Sequence, residues 1–350
     1  MKVALVLADG TCFKGESFGS FKKKTGEVVF NTTMGGYGEI ITDPASSGQI
    51  VVMTYPLIGN YGVNKEGLQS ERIHASGLVM KEATTQPSNW LLQDTLENFL
   101  NRNEVPAITG LDTRALTRYI RREGSMPGII VPEEEADPQW FENYDATCQD
   151  FTGEVTIEGI ATFGKGDNHL VVVDLGLGKG LLEALINHNC RLTVVPAGTS
   201  AEEILSYDPQ GLVLSSGPEG GLGLEELAWN LKTAIKQLPT MGIGVGMEVI
   251  AMAFGARLKK MKFGHRGANY PVKDLFKDKI SITQQNHGYV VEEESLGKTG
   301  LIVAQENIHD GTVEGLRHKE LPVLALQYYP IPVASLEGEE TFYSQFNNML

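Results

Sequence analysis

The stretch MGIGVGMEVIAMAFGA, Met241 to Ala256, decides the fold: a short apolar run, a bend with glycine at every second position, then an apolar segment of helical length. A buried strand that ends in a Gly-rich turn and feeds a helix is the building unit of a parallel sheet covered by helices. Upstream the same unit repeats. HLVVVDLG (169–176), CRLTVVP (190–196) and GLVLSSGP (211–218) read as buried strands, whereas GLLEALINHN (180–189), SAEEILSY (200–207) and LEELAWNLKTAIKQL (224–238) read as helices. Strand and helix in regular alternation predict an α/β, doubly wound, flavodoxin-like domain over 169–350, with ligands expected at the carboxyl ends of the strands. The turn at 242–246 is one such end.

The first part of the chain has a different texture. KVALVL (2–7), a turn at Ala8-Asp9-Gly10 and TCFKGESF (11–18) suggest a hairpin, followed by strand patterns in GEVVFNT (26–32) and GQIVVMTYPLIGNYG (48–62). Helices are expected in NWLLQDTLENFLNRN (89–103) and in DTRALTRYIRREG (112–124), the second capped by Asp112. Its Arg114, Arg118 and Arg121 recur at helical spacing and are expected to face solvent. A β-rich α+β domain therefore spans 1–150, and acidic, Gly- and Thr-containing sequence marks 151–168 as a linker or boundary region before the second domain.

With 350 residues, two domains are expected. A net charge of -15, with no basic stripe beyond the solvated Lys22-Lys23-Lys24, argues against nucleic acid as a partner. No long apolar run or basic leader is present, so no membrane association is expected and the location is expected to be cytoplasmic. Cys12, Cys148 and Cys190 are far apart, with no C-x-x-C pair and no zinc-like histidine spacing, so neither a disulfide framework nor a metal is indicated. Cys190 reads as a small buried hydrophobe. No cofactor is implied.

The order of several long segments carries a resemblance. GEVVFNTTMGGYGEIITDPASSGQIVVMTYPLIGNYG (26–62), DTRALTRYIR, LSSGP, GIGVG, MKFGHRGANYPVKD (261–274), ITQQNHGYVV (282–291) and LQYYP (326–330) together resemble the small subunit of carbamoyl-phosphate synthetase. The resemblance covers essentially the whole chain and implies a family-specific N-terminal domain joined to a class I glutamine amidotransferase domain. In that family a Cys-His-Glu triad hydrolyses glutamine, and the ammonia passes to a large subunit. A thiolate on a strained turn attacks the amide, a histidine moves the proton, and a carboxylate orients the histidine.

Against the family turn G-I-C-L-G-H-Q, this chain places Gly244 at the nucleophile position. Against Q-x-H-P-E it places Tyr329 at the base and Ile331 at the orienting acid. The glutamine-holding positions are mixed: Ser47, Gly217, Asn286, Gly288 and Tyr289 follow the family, with Tyr289 an aromatic substitute, and Val245 is a remnant position where the family turn has Leu. Glu248 stands where the family has Gln, and Glu219 where it has the second Gly of N-G-P-G. The resemblance thus implies a remnant glutamine site without a triad, and no catalytic residue is assigned. His265, His287 and His318 lie outside the triad positions, with His287 a structural neighbour of the pocket. Glu219, Glu248 and Met247 could form an acidic, partly apolar pocket for an amine, or be two solvated carboxylates without metal-ligand spacing.

Three functions remain open from sequence. The first is a non-hydrolytic subunit that stabilises or regulates a large synthetase subunit using free ammonia, in arginine or pyrimidine synthesis. The second is a free-standing protein that binds a small amine or amino acid in the old pocket. The third is an active glutaminase with a nucleophile the sequence does not reveal.

Overall fold

The computed structural model describes residues 1–141, 151–220, 223–330 and 337–350. Cys148 and Ile331 lie outside the described residues. The chain divides into two compact units, Met1–Gln149 and Asp150–Leu350.

Within the first unit a closed barrel is built from strands Lys2–Leu7, Cys12–Gly19, Pro106–Thr109, Gly77–Val79, Gln49–Met53, Thr25–Asn31 and Met126–Pro132, in that order around the wall. The hairpin expected at the amino end forms, with Val3 opposite Gly15 and Leu5 opposite Phe13. Met126–Pro132 pairs with both Lys2–Leu7 and Thr25–Asn31, which closes the wall and leaves it no open edge. Val29, Val51, Met53, Leu78 and Ala107 bury one side of the wall under helix residues Leu96, Phe99 and Leu100.

The helix Thr113–Glu123 forms as expected: the Asp112 side chain accepts from Ala115 N at 2.9 Å. It buries Thr113, Leu116 and Ile120 and leaves Arg114, Arg118 and Arg121 exposed. The other helix is shorter than its sequence pattern. Only Leu96–Arg102 is helical, because Thr95 takes the cap position and accepts from Asn98 N at 3.2 Å. Ahead of it Asn89 closes a turn by accepting from Leu91 N, so Trp90 stands 89% exposed instead of on a helix face. Lys22, Lys23 and Lys24 occupy the turn between Cys12–Gly19 and Thr25–Asn31, and Lys22 pairs with Glu104 at 2.6 Å.

The second unit is organised around a ten-stranded sheet. Its centre is parallel, in the order Cys190–Pro196, Asn168–Asp174, Gly211–Leu214, Thr240–Ile243 and Val323–Leu326. The chain starts at Asn168–Asp174 and places its next two strands on opposite sides, which makes a topological switch point there. Alternate residues of that strand serve opposite faces. Val171 and Val173 join the core under Ala201–Ser206, Leu224–Gln237 and Val245–Ala253, whereas Leu170 and Val172 join the core with Leu181, Leu185, Tyr343 and Phe346. This is a sheet covered by helices on both faces, the doubly wound arrangement. Residues 151–168 contribute the helix Phe151–Val155 and the strand Ala161–Phe163, which pairs antiparallel with Cys190–Pro196. Cys190 itself is 1% exposed, as its apolar setting implies.

Beyond Val323–Leu326 the sheet continues antiparallel through Val313–His318, Leu301–Asn307, Leu258–Asp274 and Lys279–Val291. No helix among the described residues is long and apolar enough to cross a membrane.

Candidate functional site

The strand Thr240–Ile243 runs into the helix Val245–Ala253 through Gly244, whose backbone has φ 56 and ψ −121. L side chains rarely occupy that region, and glycine adopts it at no steric cost. The turn is pinned by Gly244 N donating to Leu326 O at 2.8 Å and by Gly244 O accepting from Met247 N at 2.9 Å. Gly246 answers a different need. A Cβ there would meet Leu214 O at 2.3 Å, so its absence lets the helix lie against Gly211–Leu214. Apart from Glu248 the helix is apolar all round, and Val245, Met247 and Glu248 are each 1% exposed or less.

Gly244 has no atom that could attack. The group facing it is Ser216, whose hydroxyl oxygen would lie 2.5 Å from a Cβ built on residue 244. Among the described residues the Ser216 hydroxyl makes no hydrogen bond to a histidine or carboxylate that could act as its base. Tyr329 follows Val323–Leu326, is partly exposed, and donates its backbone N–H to Gln284 O at 3.3 Å.

Two carboxyls meet beside the turn. Glu248, on the first turn of the helix, is fully buried, and Glu219 comes from the loop after Gly211–Leu214. The Gln327 amide joins them, donating to Glu248 Oε1 at 2.9 Å and to Glu219 Oε1 at 3.4 Å. The backbone N–H of Gly288 donates to Glu219 Oε2. Arg266 closes the group, because a Cβ on Gly288 would stand 3.0 Å from its Nη2 and 3.5 Å from Glu219 Oε2.

Removal from water dominates the ionisation of this pair. It lifts the Glu248 carboxyl to about 7, against the pull of its hydrogen bonds to Glu219 and Gln327. Glu219 moves the same way, well above the usual carboxylate range, through burial and the neighbouring Glu248 charge; His287, Arg266 and the Gly288 N–H oppose the rise. One proton shared by two carboxyls accounts for both directions. Glu248 Oε2 and Gln327 Oε1 are buried with no hydrogen-bond partner among the described residues.

The remaining predicted positions divide by unit. Gly217, Asn286, Gly288 and Tyr289 belong to the second unit. Gly217 lies in the loop with Glu219, and the other three lie on Lys279–Val291. Tyr289 packs against that loop: a Cβ on Gly220 would meet its hydroxyl at 2.8 Å. Ser47 lies in the first unit, buried, just after the turn Pro44–Ser46 and bridged to Ala75. His287 does adjoin the pocket through Gly288, whereas His318 is remote in its contacts, stacked on Phe254 at 4.9 Å. Sequence reading missed Gln327, Arg266 and Ser216 as members of the site. Gln327 was visible in LQYYP, but its partners lie 79 and 108 residues away in the chain.

The arrangement binds itself. Glu219 engages the backbone N–H of Gly288, Gly244 carries no side chain on the turn, and the carboxyl pair adds proton affinity.

Comparison with known proteins matches this chain along its length. The family model described as carbamoyl-phosphate synthase small chain, CPSase domain, matches residues 5–130, and that of glutamine amidotransferase class-I matches residues 171–349. The carbamoyl phosphate synthase small chain of Bacillus caldolyticus is 43% identical over 99% of this chain and 96% of its own. The carbamoyl phosphate synthase pyrimidine-specific small chain of Halalkalibacterium halodurans is 40% identical over 100% of this chain and 97% of its own. Among solved structures, the glutaminase domain of Trypanosoma brucei CTPS with bound acivicin covers 52% of this chain and 93% of its own, at 17% identity and a TM-score of 0.40.

Proposed function

The chain belongs to the carbamoyl-phosphate synthase small-chain family, and from that premise we propose that it is a non-hydrolytic member, a structural or regulatory partner of a large subunit supplied with free ammonia. The observation that carries this reading is the self-occupied turn. Gly244 offers no attacking atom, and Glu219 takes up the Gly288 N–H that would otherwise hold substrate. Loss of the triad is supported from two separate segments, Gly244 on the helix turn and Tyr329 after Val323–Leu326; Ile331 adds a third by sequence. Without nucleophile, base and orienter, removing any further pocket residue costs no chemistry, so the pocket is free to change.

The test is size-exclusion chromatography of the full chain with the large synthetase subunit from the same source, coupled to an ammonia-release assay on glutamine. Co-migration with no glutamine hydrolysis, and carbamoyl phosphate formed only when ammonia is added, is the expected result. Absence of a complex at micromolar concentration overturns the partner role, and ammonia release above blank overturns the loss of hydrolysis.

A second reading is favoured by the two unpartnered acceptors, Glu248 Oε2 and Gln327 Oε1. A primary ammonium brings three donors and a positive charge, which is what a buried carboxyl pair lacks. On that reading the protein is an amine or amino-acid sensor. Calorimetric titration with small amines in the absence of any large subunit separates the two, since only the sensor binds one alone.

A further inference from the structure

We propose that His265, His287, Glu314 and Gln285 form a structural site for one divalent transition-metal ion of zinc's ligand preference, built into the antiparallel extension of the sheet. His265 and His287 are direct cross-strand partners in Leu258–Asp274 and Lys279–Val291, and Glu314 approaches from Val313–His318. Ligand atoms of His265, His287 and Glu314 all lie within 4.8 Å of one another, and all three residues are buried. His265 Nδ1 is 3.2 Å from Glu314 Oε1, His287 Nε2 is 3.6 Å from the same oxygen, and Gln285 Oε1 is 3.2 Å from His287 Nε2. A tetrahedral ion with arms of zinc length has edges of about 3.3 Å; these three separations are close to that, and the remaining ligand atoms, within 4.8 Å, would draw together on binding.

The polar balance of the cluster points to a cation independently. Thr283 Oγ1 gives its proton to Tyr270 O at 2.9 Å, so it can only accept from Gln285 Nε2 at 3.0 Å. That fixes the amide, and turns Gln285 Oε1 toward His287. His287 Nδ1 in turn faces Tyr289 O at 3.0 Å and carries a proton there. In the neutral ring the other nitrogen then presents a lone pair to two acceptor oxygens, Gln285 Oε1 and Glu314 Oε1. Glu314 is 0% exposed, and its Oε2 has no hydrogen-bond partner among the described residues. Asn307 Nδ2 and Thr312 Oγ1 each donate to Glu314 Oε1 at 3.3 Å, but with His287 neutral its Nε2 and Gln285 Oε1 face one another without a donor, which a divalent ion would satisfy.

The outer contacts have the form that metal-binding histidines need. His265 holds Asp310 Oδ2 through Nε2 at 2.9 Å, and His287 holds a backbone carbonyl through Nδ1, so each ring is oriented by its far nitrogen. The ion would tie three strands together one residue from Gly288, whose N–H engages Glu219. The inference does not depend on the lost triad: the donors are the same whether or not the protein hydrolyses glutamine.

Cobalt(II) is the probe. The full chain carrying Cys12→Ser and Cys148→Ser, stripped with chelator, is titrated with cobalt(II) while visible absorption is recorded, and zinc(II) is then added in competition. The expected result is one equivalent bound with the d–d bands of four-coordinate cobalt, displaced by zinc. Asp310→Asn weakens binding about 10–100-fold by loosening His265, and Glu314→Gln weakens it further. Asp310 has a 39% exposed side chain, so its variant keeps the test open if Glu314→Gln does not fold. No saturable binding at micromolar cobalt overturns the proposal, as does binding unchanged in a folded Glu314→Gln or Asp310→Asn protein.

Discussion

Ser216 occupies the direction in which a side chain on residue 244 would grow: its hydroxyl oxygen would lie 2.5 Å from a Cβ at Gly244. Restoring a cysteine there therefore crowds Ser216 and places an L side chain at φ 56. The expected outcome for Gly244→Cys is a folded protein destabilised by about 1–3 kcal/mol and, on the proposed reading that Tyr329 has replaced the base, still without glutaminase activity. Denaturant unfolding reads the first, and coupled detection of ammonia from glutamine reads the second. Ammonia release tenfold above the unaltered chain would show that a base is already in place.

Gly246 tests the packing of the same turn. A methyl group at this position would meet Leu214 O at 2.3 Å, Leu214 C at 2.8 Å and Ser215 O at 2.9 Å, all backbone atoms that cannot swing aside. Gly246→Ala is expected to push the helix Val245–Ala253 off its strand and to cost about 3 kcal/mol or more, although alanine is the better helix former. Thermal unfolding of the variant checks this; an unchanged midpoint would mean that the helix has room to move.

Much of this was legible in the sequence, and the reason is local. Each βα unit of 169–256 states its own period, so strands and helices follow from spacing without knowledge of the rest of the chain. The barrel is less readable, because its order brings Cys12–Gly19 beside Pro106–Thr109, an adjacency no local pattern encodes. The helix expected over 89–103 is shortened to Leu96–Arg102 for a local reason of another kind. Its apolar residues have a helical period, but the hydrogen bonds of Asn89 and Thr95 favour a turn followed by a cap. At the site, Gly244 and Glu248 could be picked out by comparison with a family motif, while the partnership of Glu248 with Gln327 and Glu219 arises only on folding.

The cap at Thr95 is worth measuring because it is what shortens that helix. Its side-chain oxygen accepts from Asn98 N, and Asp94 reinforces it by accepting from Thr95 N at 2.8 Å. Thr95→Ala should cost about 1 kcal/mol, and Thr95→Asn much less, since asparagine caps equally well. Urea midpoints of the two variants decide the matter; equal losses would show that the threonine contributes through packing.

The carboxyl pair makes stability depend on pH, with a definite sign. Glu248 titrates near 7 in the folded protein against an ordinary value of 4.5, so the folded state holds its proton more tightly than the unfolded state does. Below about pH 4.5 both states are protonated and the favourable contribution is complete. As pH rises toward 7 the unfolded carboxyl ionises while the folded one must keep its proton, and the contribution declines. The loss is on the order of 3 kcal/mol and is complete above pH 7, where the folded protein carries a buried charge. Glu219 is shifted in the same direction and adds to the slope. Glu248→Gln preserves the acceptor for Gln327 Nε2 and removes the titration, so the variant should match the unaltered chain near pH 5 and exceed it in stability near pH 8. Urea unfolding at the two pH values provides the comparison. If the variant and the unaltered chain lose stability equally between them, Glu248 is not the group that sets the slope, and the shared proton must be assigned elsewhere.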